Sequence, residues 1–350
     1  MKAFKIAAAL IVIVVVGGVI YHGLPGLAQA RSAQEPGGGS PTAAVAPPLV
    51  SAPAAPSAPA HAAPSPRLDL SRIVATDGAV TEIMYALGFG DRIIAADSTA
   101  KWPAVVAKKP SIGYVRRLSA EGLLSLNPTL ILNTVEGGPP EALEQLRASG
   151  VPLIDLPGEK QNKSFPAMLD LIEAVGAALE VPDRGKELAA AVEADLEAVR
   201  HALASRLGPK ALFIFNPSED KLTAGGGGTG ADEFFKLANL PNVAGHLENW
   251  KPLSKEAVLE AGPELLVAAT RSEHQAFGTT DELLKLHGLD RTPAGQTKRV
   301  IFVDGIRFLA GGPRVGEMAH EFAKLVHPDL ELPASRSAPW FRKIEERFRE

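Results

Sequence analysis

The segment Leu118-Ser119-Ala120-Glu121-Gly122-Leu123-Leu124-Ser125-Leu126-Asn127-Pro128-Thr129-Leu130 returns 135 residues later as Leu253-Ser254-Lys255-Glu256-Ala257-Val258-Leu259-Glu260-Ala261-Gly262-Pro263-Glu264-Leu265. Leu, Ser, Glu, Leu, Pro and Leu stand at matching offsets, and an apolar run follows each copy. A serine just before a helical stretch can accept from the helix's first amides, and a proline before an apolar run marks the turn into a strand. The repeat therefore predicts two lobes of similar build. A weaker echo pairs Glu82-Ile83-Met84 with Glu233-Phe234-Phe235.

The flanking texture agrees. Strand-like runs at 72–75, 92–95, 130–132 and 151–156 alternate with helical stretches at 80–87, 119–126 and 140–149. Such alternation with short connections implies a mainly parallel sheet covered on both faces. Two consecutive helices then interrupt it. Ser164 can cap the first, whose apolar positions Phe165, Met168, Ile172, Val175 and Leu179 keep helical spacing until Val181-Pro182. Asp183 can cap the second, with its stripe at Leu188, Val192, Leu196, Val199, Leu203 and Leu207. Strands resume at 211–215, 265–268 and 300–303. The expected fold is α/β, two Rossmann-like lobes with mainly parallel sheets joined by one long rigid α-helix. The lobes span 67–182 and 208–328, the helix 183–207, and 329–350 reads as a charged amphipathic tail.

The first 66 residues differ in kind. Lys2 and Lys5 precede an apolar run at 6–20, and Ala28-Gln29-Ala30 offers small residues where a signal peptidase cuts. About ten residues separate run and site, so 1–30 reads either as a cleaved export signal or as a retained membrane anchor. Residues 31–66 are Pro, Ala, Gly and Ser with little charge, which suits a disordered tether reaching on the order of 100 Å. A formal charge of −4 argues against a nucleic-acid partner. The chain has no cysteine, which excludes disulfides, thiolate metal sites, cysteine nucleophiles and a lipid-bearing cysteine.

Gly225-Gly226-Gly227-Gly228-Thr229-Gly230 contains a formal dinucleotide fingerprint, but it lies well past the strand expected to end at Phe215. A flexible loop at the mouth of the second lobe is the preferred reading, with a nucleotide-dependent enzyme the weaker one. No nucleophile elbow, zincin motif or carboxylate pair at catalytic spacing occurs, and the histidines are scattered. Tyr21 lies in the leader and Tyr85 inside a predicted helix. Tyr114 falls in a loop before a helix, where a tyrosine serves either packing or ligand contact.

The run Ile112-Gly113-Tyr114-Val115-Arg116-Arg117-Leu118-Ser119-Ala120-Glu121-Gly122 resembles the Gly-Tyr-x-Arg-x-Leu-Ser-x-Glu-Gly motif of haem-binding proteins of bacterial haem ABC importers. Gly78-Ala79-Val80-Thr81-Glu82-Ile83, Asp97-Ser98-Thr99, Gly137-Gly138-Pro139-Pro140, Ala224 to Thr229 and Gly312-Pro313-Arg314 extend the likeness over roughly 72–328. The resemblance implies a periplasmic, non-enzymatic substrate-binding protein that carries haem b to an ABC permease dimer. It makes Tyr114 the axial ligand of haem iron, and a phenolate is a hard anionic donor suited to ferric iron. It offers Arg116, and likewise Arg314 from the second lobe, either as the cation that favours the deprotonated tyrosine or as partner of a haem carboxylate, which a guanidinium fork suits. Glu121 and Glu256, one per lobe, become the permease-docking residues. Some relatives add a histidine after the first strand of the second lobe; Phe215-Asn216-Pro217-Ser218 holds none. Siderophore or cobalamin binding on the same scaffold is the alternative.

Overall fold

The computed structural model describes residues 67–158, 164–215, 217, 221–270, 279–309 and 311–348. The leader, the tether, Asn216 and Ser218 lie outside the described residues. In the first lobe the chain runs β1 (Ile73–Ala75), α1 (Gly78–Ala86), β2 (Ile93–Ala96), α2 (Ala120–Leu124), β3 (Leu130–Asn133), α3 (Pro140–Ala148) and β4 (Leu153–Asp155). The strands form a parallel sheet in the order β2-β1-β3-β4. Alternate residues serve opposite faces: Ile73 and Ala75 join one apolar cluster, Val74 and Ile131 the other. A sheet buried on both sides needs such unbroken apolar strands.

Two helices follow, α4 (Phe165–Ala178), capped by Ser164 as its spacing predicts, and α5 (Pro182–Leu203). Asp183 does not cap α5. Val181 holds the cap position without a side-chain bond, and Pro182 supplies the starting geometry at the first helical turn. The helix also stops before Leu207, which is 73 % exposed, because Arg206 pairs with Asp329 and Gly208 donates to the Asn239 carbonyl. Leu188, Val192, Leu196, Val199 and Leu203 are buried along one stripe. At the α4–α5 crossing a Cβ on Gly176 would lie 2.7 Å from the Gly185 Cα, so the two backbones approach as closely as glycine permits.

The second lobe comprises β5 (Ala211–Phe215), β6 (Leu222–Gly225), α6 (Gly230–Leu237), β7 (Trp250–Leu253), α7 (Lys255–Ala261), β8 (Leu265–Thr270), α8 (Thr280–Leu284), α9 (Pro293–Gln296), β9 (Val300–Asp304), α10 (Gly305–Leu309) and α11 (Val315–Val326). Its sheet order is β7-β6-β5-β8-β9, with β5, β8 and β9 parallel and β6 and β7 added antiparallel at one edge. Across both sheets the pairing is mainly parallel. The sequence repeat is a structural one. Ser119 caps α2 by accepting from the Gly122 amide at 3.1 Å, and Ser254 caps α7 from Ala257 at 3.2 Å. The Arg72 carbonyl accepts from Thr129 and Leu130, and the Lys210 carbonyl accepts from their counterparts Glu264 and Leu265.

The C-terminal stretch is part of the fold rather than a tail beyond it. Helix α12 (Ala338–Arg347) returns to the first lobe, burying Phe341 and Ile344. Phe348 meets Tyr85 edge-on at 5.3 Å, and Phe341 meets Trp102 at 5.8 Å. Apolar residues at 340, 341, 344 and 348 share one helical face, so the amphipathic segment docks on the core instead of facing water on all sides.

Candidate functional site

In α/β sheets ligands collect beyond the carboxyl ends of the parallel strands. In the first lobe those ends carry Asp77 after β1, Thr134 to Glu136 after β3, and Pro157 after β4. With Ser164 and Met168 of the α4 start they line a cavity of about 40 Å³. A second, smaller hollow of about 10 Å³ joins Phe165 and Met168 to Phe234, Arg307, Phe308 and Gly311 of the second lobe. Met168 borders both, so the two form one floor shared by the lobes.

Tyr114 stands on a turn pinned to β2 on one side and to Gly138 on the other. Its segment is tied to β2 through Ile112 N to Ala96 O at 3.0 Å and Ser98 N to Gly113 O at 2.7 Å. Gly113 takes φ +81, a left-handed conformation that costs glycine little. Tyr114 then precedes a 3₁₀ turn over Val115–Arg117, the carbonyl of buried Val115 accepts from the Gly138 amide, and the Leu118 amide donates to the Gly138 carbonyl. Both flanks being fixed, the ring is held outward, 42 % exposed, and its hydroxyl has no hydrogen-bond partner among the described residues.

Arg116 points from the same turn toward the floor. Its Nε donates to Glu136 Oε2 at 2.6 Å and Nη2 lies 2.5 Å from the same oxygen. The arginine stays about half exposed while Glu136 is nearly buried, so donors remain free on the solvent side. Arg314 is placed differently. It forms a two-pronged pair with Glu82 of α1, and its side chain is largely buried. Neither glutamate partner is legible in the sequence. Glu82 shows only within the weak echo and the family likeness, and Glu136 has no motif of its own.

Glu121 and Glu256 both occupy exposed first turns, in α2 and α7. The Glu256 carboxyl is held below the usual range by its own amide and by Ser254. Asp97, behind the α1 start, is buried. Burial pushes its carboxyl up to about 6 against the pull of Thr99, with nearby Asp77 adding to the rise. No group of three or more His, Cys, Asp or Glu able to hold a metal occurs among the described residues, and none of their helices is long and apolar enough to cross a membrane.

The glycine run corrects one expectation. It follows a strand directly, since β6 ends at Gly225, yet it is neither a phosphate cradle nor a flexible loop. The Gly226 and Gly227 amides donate to the Asn249 and Leu247 carbonyls, and the Gly228 amide to Asp232. Three of the loop amides are thus spent, and the Asp232 carboxylate already accepts from the third. A larger cavity of about 400 Å³ lies under α12, lined by Tyr85, Trp340 and Phe348, at the end of α1 away from Asp77.

Comparison with known proteins places this arrangement. Residues 73–306 match the family described as periplasmic binding protein. A solved structure, periplasmic heme-binding protein RhuT from Roseiflexus sp. RS-1 in apo form, is similar at 39 % identity with a TM-score of 0.67. The match covers 74 % of this chain and 98 % of that one. An uncharacterized ABC transporter substrate-binding lipoprotein, YvrC of Bacillus subtilis (strain 168), is 26 % identical over 263 residues, 74 % of this chain and 80 % of the relative. A vitamin B12-binding protein of Vibrio cholerae serotype O1 is 28 % identical over 204 residues, 58 % of this chain and 71 % of the relative. The bilobal fold and the extent of the match agree, and the chain belongs to the periplasmic binding protein family.

Proposed function

We propose that this protein captures haem between its lobes in the periplasm and delivers it to an ABC permease dimer, with no catalytic role. The observation that carries the reading is Tyr114. A phenol with no internal partner is held outward by a turn pinned at both ends, the same turn that brings Arg116 to Glu136 at the edge of the first-lobe cavity. In this reading its oxygen is the axial donor to ferric haem b, a role that suits a hard anionic ligand. Arg116, anchored by Glu136, keeps donors for a haem carboxylate. Arg314, largely buried with Nε and Nη2 engaged by Glu82, would offer a second haem carboxylate only its remaining donors at Nη1. The leader delivers the chain to the periplasm and either is removed or remains as an inner-membrane anchor. The similarity to a heme-binding protein at 39 % identity supports the same cargo.

The decisive experiment adds hemin to purified apo-protein and to Tyr114→Ala, and records visible spectrum and affinity. Wild type should show a tyrosinate-ligated ferric spectrum and the variant should lose it, with affinity down at least about tenfold, near 1.4 kcal/mol. Matching spectra and affinities would remove Tyr114 as ligand. A second reading, cobalamin as cargo, is favoured by the vitamin B12-binding relative. Saturable cobalamin binding with no hemin binding would establish it instead.

A further inference from the structure

Glu82 and Arg314 lie 232 positions apart in the chain, one on α1 of the first lobe and one at the cap position of α11 in the second. Arg314 Nε donates to Glu82 Oε2 at 3.0 Å and Nη2 to Oε1 at 2.7 Å, so both prongs of the fork are engaged. The two side chains are only 13 % and 10 % exposed. The guanidinium also lies over the Trp102 ring, 4.6 Å from its centroid, and Trp102 in turn packs on Phe341 of α12. The loop before α11 is shaped to this contact. A Cβ on Gly312 would fall 2.6 Å from Glu82 Oε2, so a larger residue there would make the carboxylate shift from its place opposite Arg314.

Glu233, which echoes Glu82 in the sequence, is the fourth residue of α6 where Glu82 is the fifth of α1, and it forms a local pair with Lys236 three residues on.

We propose that the Glu82–Arg314 pair, seated on Trp102, is an interlobe latch that sets the opening of the cleft. A two-pronged guanidinium–carboxylate pair fixes direction as well as distance. Parting the lobes would strand two charges in a site with little water, which penalises intermediate openings. Helix α5 limits how far the lobes separate along its axis, and the latch fixes the angle at which they face each other across the floor. Arg314 is in this account a positioning residue. The latch does not depend on what the cleft carries.

The test uses cargo-free protein. Because the chain lacks cysteine, Glu144→Cys and Glu260→Cys place one spin label on an exposed helix of each lobe. The interlobe distance distribution is measured by pulsed electron resonance in this parent and in Glu82→Gln, Arg314→Gln and Arg314→Lys backgrounds. The parent should give one narrow peak, and both Gln variants should broaden it about twofold. Arg314→Lys keeps the charge but loses the fork, and should give an intermediate width even if a Gln variant fails to fold. Circular dichroism separates misfolding from opening. Peaks as narrow as the parent's in every folded variant would overturn the latch. Hemin titration of the parent reports on the cargo separately, so either idea can fail alone.

Discussion

Ser337 donates its hydroxyl to the Asp195 carboxylate at 2.6 Å, tying the approach to the last helix to the middle of the helix between the lobes. Asp195 is 1 % exposed and also accepts from the Ser337 amide, the Arg336 amide and the Ser335 hydroxyl, at 3.0, 2.7 and 2.7 Å. One buried carboxylate thus satisfies four donors and starts the strap that carries Phe341 and Ile344 onto the first lobe. Asp195→Ala would leave those donors without their acceptor, costing about 3 kcal/mol. Asp195→Asn, which keeps one acceptor oxygen, should cost less. Urea unfolding midpoints measure both, and an Ala variant as stable as the parent would show that the strap is not held here.

Asp97 predicts a pH dependence of stability. Its carboxyl is pushed from 3.8 up to about 6, chiefly by burial and further by Asp77. The folded protein therefore holds this proton more tightly than the unfolded chain. Its contribution is fully present below 3.8 and is lost as pH rises through about 6. A rise of this size corresponds to roughly 2–3 kcal/mol. Asp97→Asn removes the titration while keeping an acceptor for Thr99, so the variant should gain on the parent between about pH 4 and pH 7. Denaturation curves at both values decide it: a constant difference between the two proteins would mean that the carboxyl titrates normally.

The elements legible in the sequence are those whose signal is local. Ser119, Ser164 and Ser254 cap the helices they precede, and the strands β1, β3, β5 and β8 follow unbroken apolar runs. The antiparallel strands β6 and β7 escaped because Leu222-Thr223-Ala224-Gly225 and Trp250-Lys251-Pro252-Leu253 are short and mixed. Their place is set by pairing, β6 on β5 and β7 on β6, rather than by composition. Leu207 extended the stripe of α5 in register, but helix length is set by the Asn239 carbonyl that draws Gly208 into a turn. In the candidate site, Tyr114 and Arg116 could be singled out because their motif is contiguous. Glu136 and Glu82 were not, since pairs spanning 20 and 232 positions leave no trace in spacing.

Gly226 explains the glycine run without a ligand. A Cβ there would lie 2.3 Å from the Leu247 carbonyl oxygen and 2.7 Å from that of Asn249, both backbone atoms of the neighbouring segment. Gly226→Ala should therefore destabilise the second lobe by about 1–3 kcal/mol. Gly230→Ala, whose nearest neighbour would be 3.8 Å away, should stay within about 0.5 kcal/mol of the parent. Thermal unfolding distinguishes the two. Equal losses would mean that close packing is not what the glycines serve. NAD should produce no saturable signal with the parent, because the loop amides are already bonded.

Glu121 and Glu256 stand one per lobe at the same turn of equivalent helices, exposed and remote from the ring of Tyr114 in role if not in sequence. Two carboxylates related by the internal repeat suit a partner that is itself a dimer and presents two cations. Reversing either to Lys would turn one attraction into a repulsion; reversing both should abolish docking on the proposed permease. Exposed first-turn residues contribute little to stability, at most about 1 kcal/mol. The double variant should therefore fold normally and bind hemin with parental affinity. Stimulation of the permease's ATP hydrolysis in proteoliposomes should fall at least about tenfold for the double variant, with each single variant intermediate. Undiminished stimulation by hemin-loaded double variant would assign docking to another surface of the lobes.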